Sequence, residues 1–210
     1  MTSLRNFWAR HRAKAMRSLQ RFDREEHGAS AVEFAFLAVP FLALVFAILE
    51  LALLFFTASV LSHAVSDTGR LLRVGSLQGC NDGVDFKALV CDTMNELMGC
   101  SKNLRIDVET SNNFQTVTFE DAEAPDTTDP DAETPPGVWK DTSAGSPVVI
   151  RATFYYPLML PGQVTRLENE EGTGRHVLRA TTAFRNEPFP TRTTCDPAVQ
   201  SRLNDINGDG

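Results

Sequence analysis

Side chains able to do chemistry are few in this 210-residue chain, and they are scattered. His11, His27, His63 and His176 lie far apart, and no Gly-x-Ser-x-Gly, His-Glu-x-x-His or Walker phosphate loop accompanies them. Cys80, Cys91, Cys100 and Cys195 are spaced by 11, 9 and 95 residues, without the Cys-x-x-Cys knuckle that would favour zinc. Cysteine–histidine catalysis needs a free thiol, whereas four cysteines in an exported domain point to two disulfides. Unpaired buried thiols are the alternative. The run "DINGDG" sets Asp205, Asn207 and Asp209 as in the opening of a calcium loop, but no acid follows at the twelfth position. A flexible polar tail over 200–210 is therefore expected, with no metal, no cofactor and no catalytic residue. The chemistry left to explain sits at the two ends of one apolar run. Glu33 stands five residues past Gly28 at its mouth, and Glu50 lies near its far end.

From Phe34 to Leu61 the only charged residue is Glu50, a run of 28 residues. About 20 suffice to cross the hydrocarbon core as a helix, so a membrane span is expected. Residues 1–28 carry seven basic side chains against three acids, a net +4. The whole chain is at −7, which leaves −11 on residues 29–210. Basic residues beside a span stay on the cytoplasmic side. The expectation is a single-pass inner-membrane protein with its N-terminus in the cytoplasm and its C-terminal domain in the periplasm. Nucleic-acid binding by the basic segment is not expected, because Asp23, Glu25 and Glu26 close it.

Beyond the run, "TASVLSHAVSDTGRLLRVGSLQG" keeps apolar residues near helical spacing and ends on Gly75 and Gly79. A helix over 29–77 is expected, with Pro40 kinking it by removing a backbone donor and crowding the previous turn. A short amphipathic helix over 84–95 follows. "LRIDVET", "FQTVTFE", "VVIRATFYY" and "HVLRATTAFRNE" have strand character. Residues 120–146 are rich in Asp, Glu, Pro and Thr and have too few apolar residues to offset their ordering entropy, leaving Trp139 as their one possible anchor. The fold class expected is α+β: a long N-terminal membrane-spanning helix, then a small antiparallel-sheet domain with one or two short helices, braced by disulfides. Its divisions are a leader at 1–28, the long helix at 29–77, the domain at 78–199 and a tail at 200–210.

Three disulfide connectivities are open. If the nine-residue step from Cys91 to Cys100 stayed helical, it would separate the Cα atoms by about 13 Å, against the roughly 7 Å that a disulfide tolerates. If these two pair, the helix must end near Met94 or Asn95 and fold back, with Gly99 helping. The complement would then be Cys80 with Cys195.

A glycine before the apolar run is not the pattern of an ordinary signal peptide, whose cleavage site follows a shorter apolar region. The arrangement resembles the class III signal of type IV pilins. Within that class "GASAVEFAFLAVPFLALVFAILE" is similar to the TadE family of pilin-like proteins, assembly components of tight-adherence (Flp) pili. Gly28, Ala29, Glu33, Phe34, Pro40 and Glu50 fall at the family's positions. "VCDTMNELMGCSKNLRIDVET" and "ATTAFRNEPF" resemble its later segments and imply Cys91–Cys100 as the family-like pair. The acidic loop and the "DINGDG" tail have no counterpart.

The resemblance implies a minor pseudopilin, too large for the major subunit, that initiates, primes or regulates pilus assembly. A prepilin peptidase would cut between Gly28 and Ala29. The partners implied are that peptidase, other pilin-like subunits and the assembly platform, with the protein in or at the base of the fibre. Glu33 would meet the new N-terminal amine of a neighbouring subunit, which removes most of the cost of a buried carboxylate. Glu50, about 25 Å further along a helix, is expected to be an interfacial acid. The competing reading is an uncleaved, single-pass, membrane-anchored binding or scaffold protein.

Overall fold

The computed structural model describes residues 27–80, 82–95, 97, 99–111, 113–119, 134–135, 137–160, 166–169 and 173–208. The expected leader up to residue 26, most of the acidic loop (120–133 and 136) and the last two residues of "DINGDG" lie outside them. The chain divides into two units, residues 1–49 and 50–210.

In the first unit the apolar run is helical. It belongs to α1, His27–Arg73, which continues through Pro40. With no N–H on Pro40, the carbonyl of Phe36 lacks its helical donor. Large apolar side chains are turned outward all along this part, with Phe34 72% exposed and Phe36, Leu37, Phe41, Leu44 and Phe46 similarly bare. The Ser30–Arg73 stretch is long and apolar enough to cross a membrane, and a helix bare of polar cover suits a lipid solvent.

The second unit holds the remainder of α1 and a three-stranded antiparallel sheet in the order β1-β2-β3, with β1 at Leu104–Thr110, β2 at Pro147–Pro157 and β3 at Arg175–Arg185. Register sets Leu104, Phe154 and Leu178 side by side, then Ile106, Ala152 and Ala180, then Val108, Ile150 and Thr182. The period of two turns these residues to one face. Leu54, Leu61, Val65 and Leu72 of α1 are buried with them in one core. Gly69 allows the close approach: a Cβ there would lie 3.3 Å from Phe184 and Thr182.

α1 ends at Arg73, four residues before the expected boundary. Gly75 at φ 77 makes the stop: its N–H donates to Leu72 O and that of Ser76 to Leu71 O, the paired bonds of a left-handed helix cap. α2, Asp82–Thr93, and the single turn α3, Cys100–Asn103, precede β1.

Two expectations are corrected. "FQTVTFE" is not a strand: Asn113 accepts a bond from the Gln115 N–H and starts a 3-10 turn at Phe114–Thr116, while Phe119 lies over the Arg151 guanidinium at 4.4 Å. The outer edge of β1 is taken instead by the far end of the acidic loop, with Val108 N–H donating to Val138 O (2.7 Å) and Lys140 N–H to Val108 O (3.1 Å). Gly137 is needed there, because a Cβ would fall 1.6 Å from Ile106 O. The expected flexible tail over 200–210 is also revised, since α4, Pro197–Asn207, crosses the expected boundary at 199. Asp196 caps it through the Ala198 N–H, Pro197 opens it, Val199 and Leu203 are buried, and Gly208 closes it on Asn204 O. Arg202 pairs with Asp92 of α2 at 2.7 Å.

Candidate functional site

The residues singled out by the sequence fall into two sets. Gly28, Ala29, Glu33, Phe34 and Pro40 follow one another along the start of α1. Gly28 and Ala29 fall in the turn of α1 with which the described residues begin. Any protease that reads an extended backbone must unwind this turn. Glu33 is exposed and, among the described residues, has no ion-pair or hydrogen-bond partner. A carboxylate at the mouth of an apolar helix is costly in lipid until a cation meets it.

Glu50 behaves differently from the expected interfacial acid. It is only 3% exposed, and its carboxylate accepts the backbone N–H groups of Met159 (2.5 Å) and Leu160 (3.2 Å). Glu50 is thus a clasp between α1 and the loop after β2. Sequence reasoning missed this because the partners are main-chain donors 109 and 110 residues away. The available signal was the apolar loop "PLMLP", whose N–H groups need acceptors.

Tyr156 is near the same acid. Burial raises the pKa of its phenol above 10, and the negative charge of Glu50 adds to the rise. Its hydroxyl is buried and has no hydrogen-bond partner among the described residues. A raised phenol pKa adds stability that is present below the unfolded value near 10 and is lost as pH rises through the folded value. Glu50→Gln should therefore lower the Tyr156 titration toward 10, read as phenolate absorbance; the chain has only two tyrosines. Glu50→Ala, which strands two N–H donors, should lower unfolding free energy by about 1–3 kcal/mol and speed hydrogen exchange at residues 158–160. Unchanged exchange there would refute the clasp.

Both disulfides lie in the second unit. Cys91 and Cys100 are joined with a Cα separation of 5.5 Å, and Cys80 and Cys195 with 4.5 Å. Asn95 (φ 50) and Gly99 (φ 67) reverse the chain between the first pair. Cys195 is followed directly by α4, so the second bridge ties that helix to the segment leaving α1.

On the sheet face away from α1, Asp107 is buried between two guanidinium groups. Arg105 reaches it at 2.9 Å and Arg151 at 3.1 Å. The same carboxylate accepts the Val138 N–H at 3.0 Å. Trp139 sits against Phe86 with ring centroids 5.7 Å apart, so it does anchor the end of the acidic loop. Of the two histidines whose side chains are described, His63 is exposed on α1, and His176 Nδ1 meets Leu167 O. Among the described residues no three His, Cys, Asp or Glu side chains are grouped to hold a metal ion.

Comparison with known families matches residues 28–70 to the TadE-like protein family, the one that the "GASAVEF" segment resembles. The matched stretch covers Gly28, Glu33, Pro40 and Glu50. No curated protein and no solved structure matches the chain.

Proposed function

From the TadE-like match over residues 28–70 we propose that this protein is a minor pseudopilin of a tight-adherence pilus. It is non-enzymatic and anchored by α1, with the sheet domain on the periplasmic side and residues before α1 in the cytoplasm. The observation that carries the reading is the coincidence of that match with an apolar helix whose residues 30–49 are mostly exposed and an acid, Glu33, that has no partner among the described residues. A prepilin peptidase cuts between Gly28 and Ala29, for which the first turn of α1 must open. The new amine of one subunit then meets Glu33 of another, and α1 enters the helical bundle of the pilus or its base.

The test is intact mass and N-terminal sequencing of the membrane-extracted protein, produced with and without a cognate prepilin peptidase. The expected product begins at Ala29, depends on the peptidase and is abolished by Gly28→Leu, whose side chain obstructs the cleavage cleft. A Met1 start under every condition would refute the pseudopilin reading and leave an uncleaved anchored scaffold.

A further inference from the structure

We propose that the loop Pro157–Leu160 is a lipid-contacting wedge, with Met159 entering the leaflet on the domain's side beside the point where α1 leaves it. This rests on the membrane-spanning reading of α1 given above.

The loop's backbone is already prepared for a place without water. Pro157 has no N–H. That of Leu158 donates to Gly174 O at 3.1 Å, and those of Met159 and Leu160 donate to Glu50. Lipid tolerates backbone only where its polar groups are satisfied from within the protein, and every donor from 157 to 160 meets that condition. The side chains run the opposite way. Met159 is 68% exposed, and no charge occurs from Pro157 to Gly162. A loop that satisfies its donors yet presents a bare thioether side chain is poorly matched to water and well matched to hydrocarbon.

Position favours lipid over a protein partner. Glu50 fixes the loop to α1 at the end of the domain where the chain arrives from the apolar run. Past Glu50, α1 still exposes Phe55 and Phe56, within two turns of the clasp. What surrounds a single-pass helix there is the acyl region below the headgroups. Side chains of interfacial elements settle about 5–10 Å below that boundary. The wedge also accounts for the burial of Glu50: an acid at this depth is tolerated because two N–H groups, not water, satisfy it.

The full-length protein is reconstituted in phosphatidylcholine vesicles, which spare its negative charge any headgroup repulsion. A polarity-sensitive fluorophore is placed on Met159→Cys after the native disulfides have formed, and on Phe41→Cys and Val84→Cys in separate samples. Nitroxide lipids quench near the headgroup or deep in the core. The Met159 label should emit blue-shifted light and be quenched chiefly by the shallow nitroxide. The Phe41 label should be quenched by the deep one, and the Val84 label by neither. A Met159 label quenched no more than Val84, with Phe41 still quenched, overturns the wedge and leaves the anchor intact. A blue shift without quenching also overturns it, because protein rather than lipid then covers the loop. An unquenched Phe41 label removes the spanning helix, and the wedge with it.

Discussion

Asp107→Ala is expected to lower the unfolding free energy of the C-terminal unit by about 3–5 kcal/mol, the range seen when one partner of a buried ion pair is removed. Asp107 is 1% exposed, and its single negative charge is shared between Arg105 and Arg151. Without it two guanidinium groups stay buried beside each other, and the Val138 N–H loses its acceptor. The segment 137–140 should then loosen at Val138, while the Lys140–Glu109 ion pair (2.5 Å) and the two backbone bonds to Val108 still hold it to β1. Trp139 lies in that segment against Phe86, so denaturant unfolding followed by tryptophan fluorescence reads both effects. Asp107→Asn keeps the shape but not the charge and should fall between. A loss below about 1 kcal/mol would mean that desolvation and attraction nearly cancel in this cluster.

The second large effect belongs to the disulfides, and it is unequal. The bridges close sequence separations of 115 and 9 residues. In the chain-entropy account, loops of these lengths contribute about 5 and about 2.6 kcal/mol. Replacing Cys80 and Cys195 with serine should therefore destabilise the domain by about 2 kcal/mol more than replacing Cys91 and Cys100. Denaturant midpoints of the two double variants, measured in the same detergent, test the order. Equal losses would show that fold-back strain or residual structure, rather than loop closure, sets the contribution of each bridge.

What could be read from the sequence was what depends on local pattern. The apolar run and the three strands each leave a periodic trace within a few residues, whereas the Cys91–Cys100 pairing was open on spacing alone and implied only by the family resemblance. The α1 cap at Gly75 was nearly legible too: Gly75 and Gly79 were both candidate stops, and the paired bonds to Leu71 and Leu72 choose the first. "FQTVTFE" shows the limit of alternation as a signal. A strand needs a free neighbouring edge, and residues 138–140 occupy the outer edge of β1. α4 was misread for the opposite reason. Its cap at Asp196, its opening proline, its Val199–Leu203 spacing and its closing Gly208 are all present in the sequence, but the calcium-like run drew the reading to a polar tail. The long-range contacts of Glu50 and Asp107 leave little local trace in the sequence. Their distant partners are main-chain groups and a guanidinium brought from 31 to 110 residues away, and only the assembled fold brings them together.

The Cys80–Cys195 bridge also decides how the protein bears load. A pull applied between α1 and α4 passes from Cys80 directly to Cys195 through the sulfur atoms. Residues 81–194 then form a slack covalent ring outside the line of tension. The sheet, the Asp107 cluster and the acidic loop would feel no extension while the bridge holds. Such a load would strain α1 first, and the domain it carries could keep its shape until that bond is reduced.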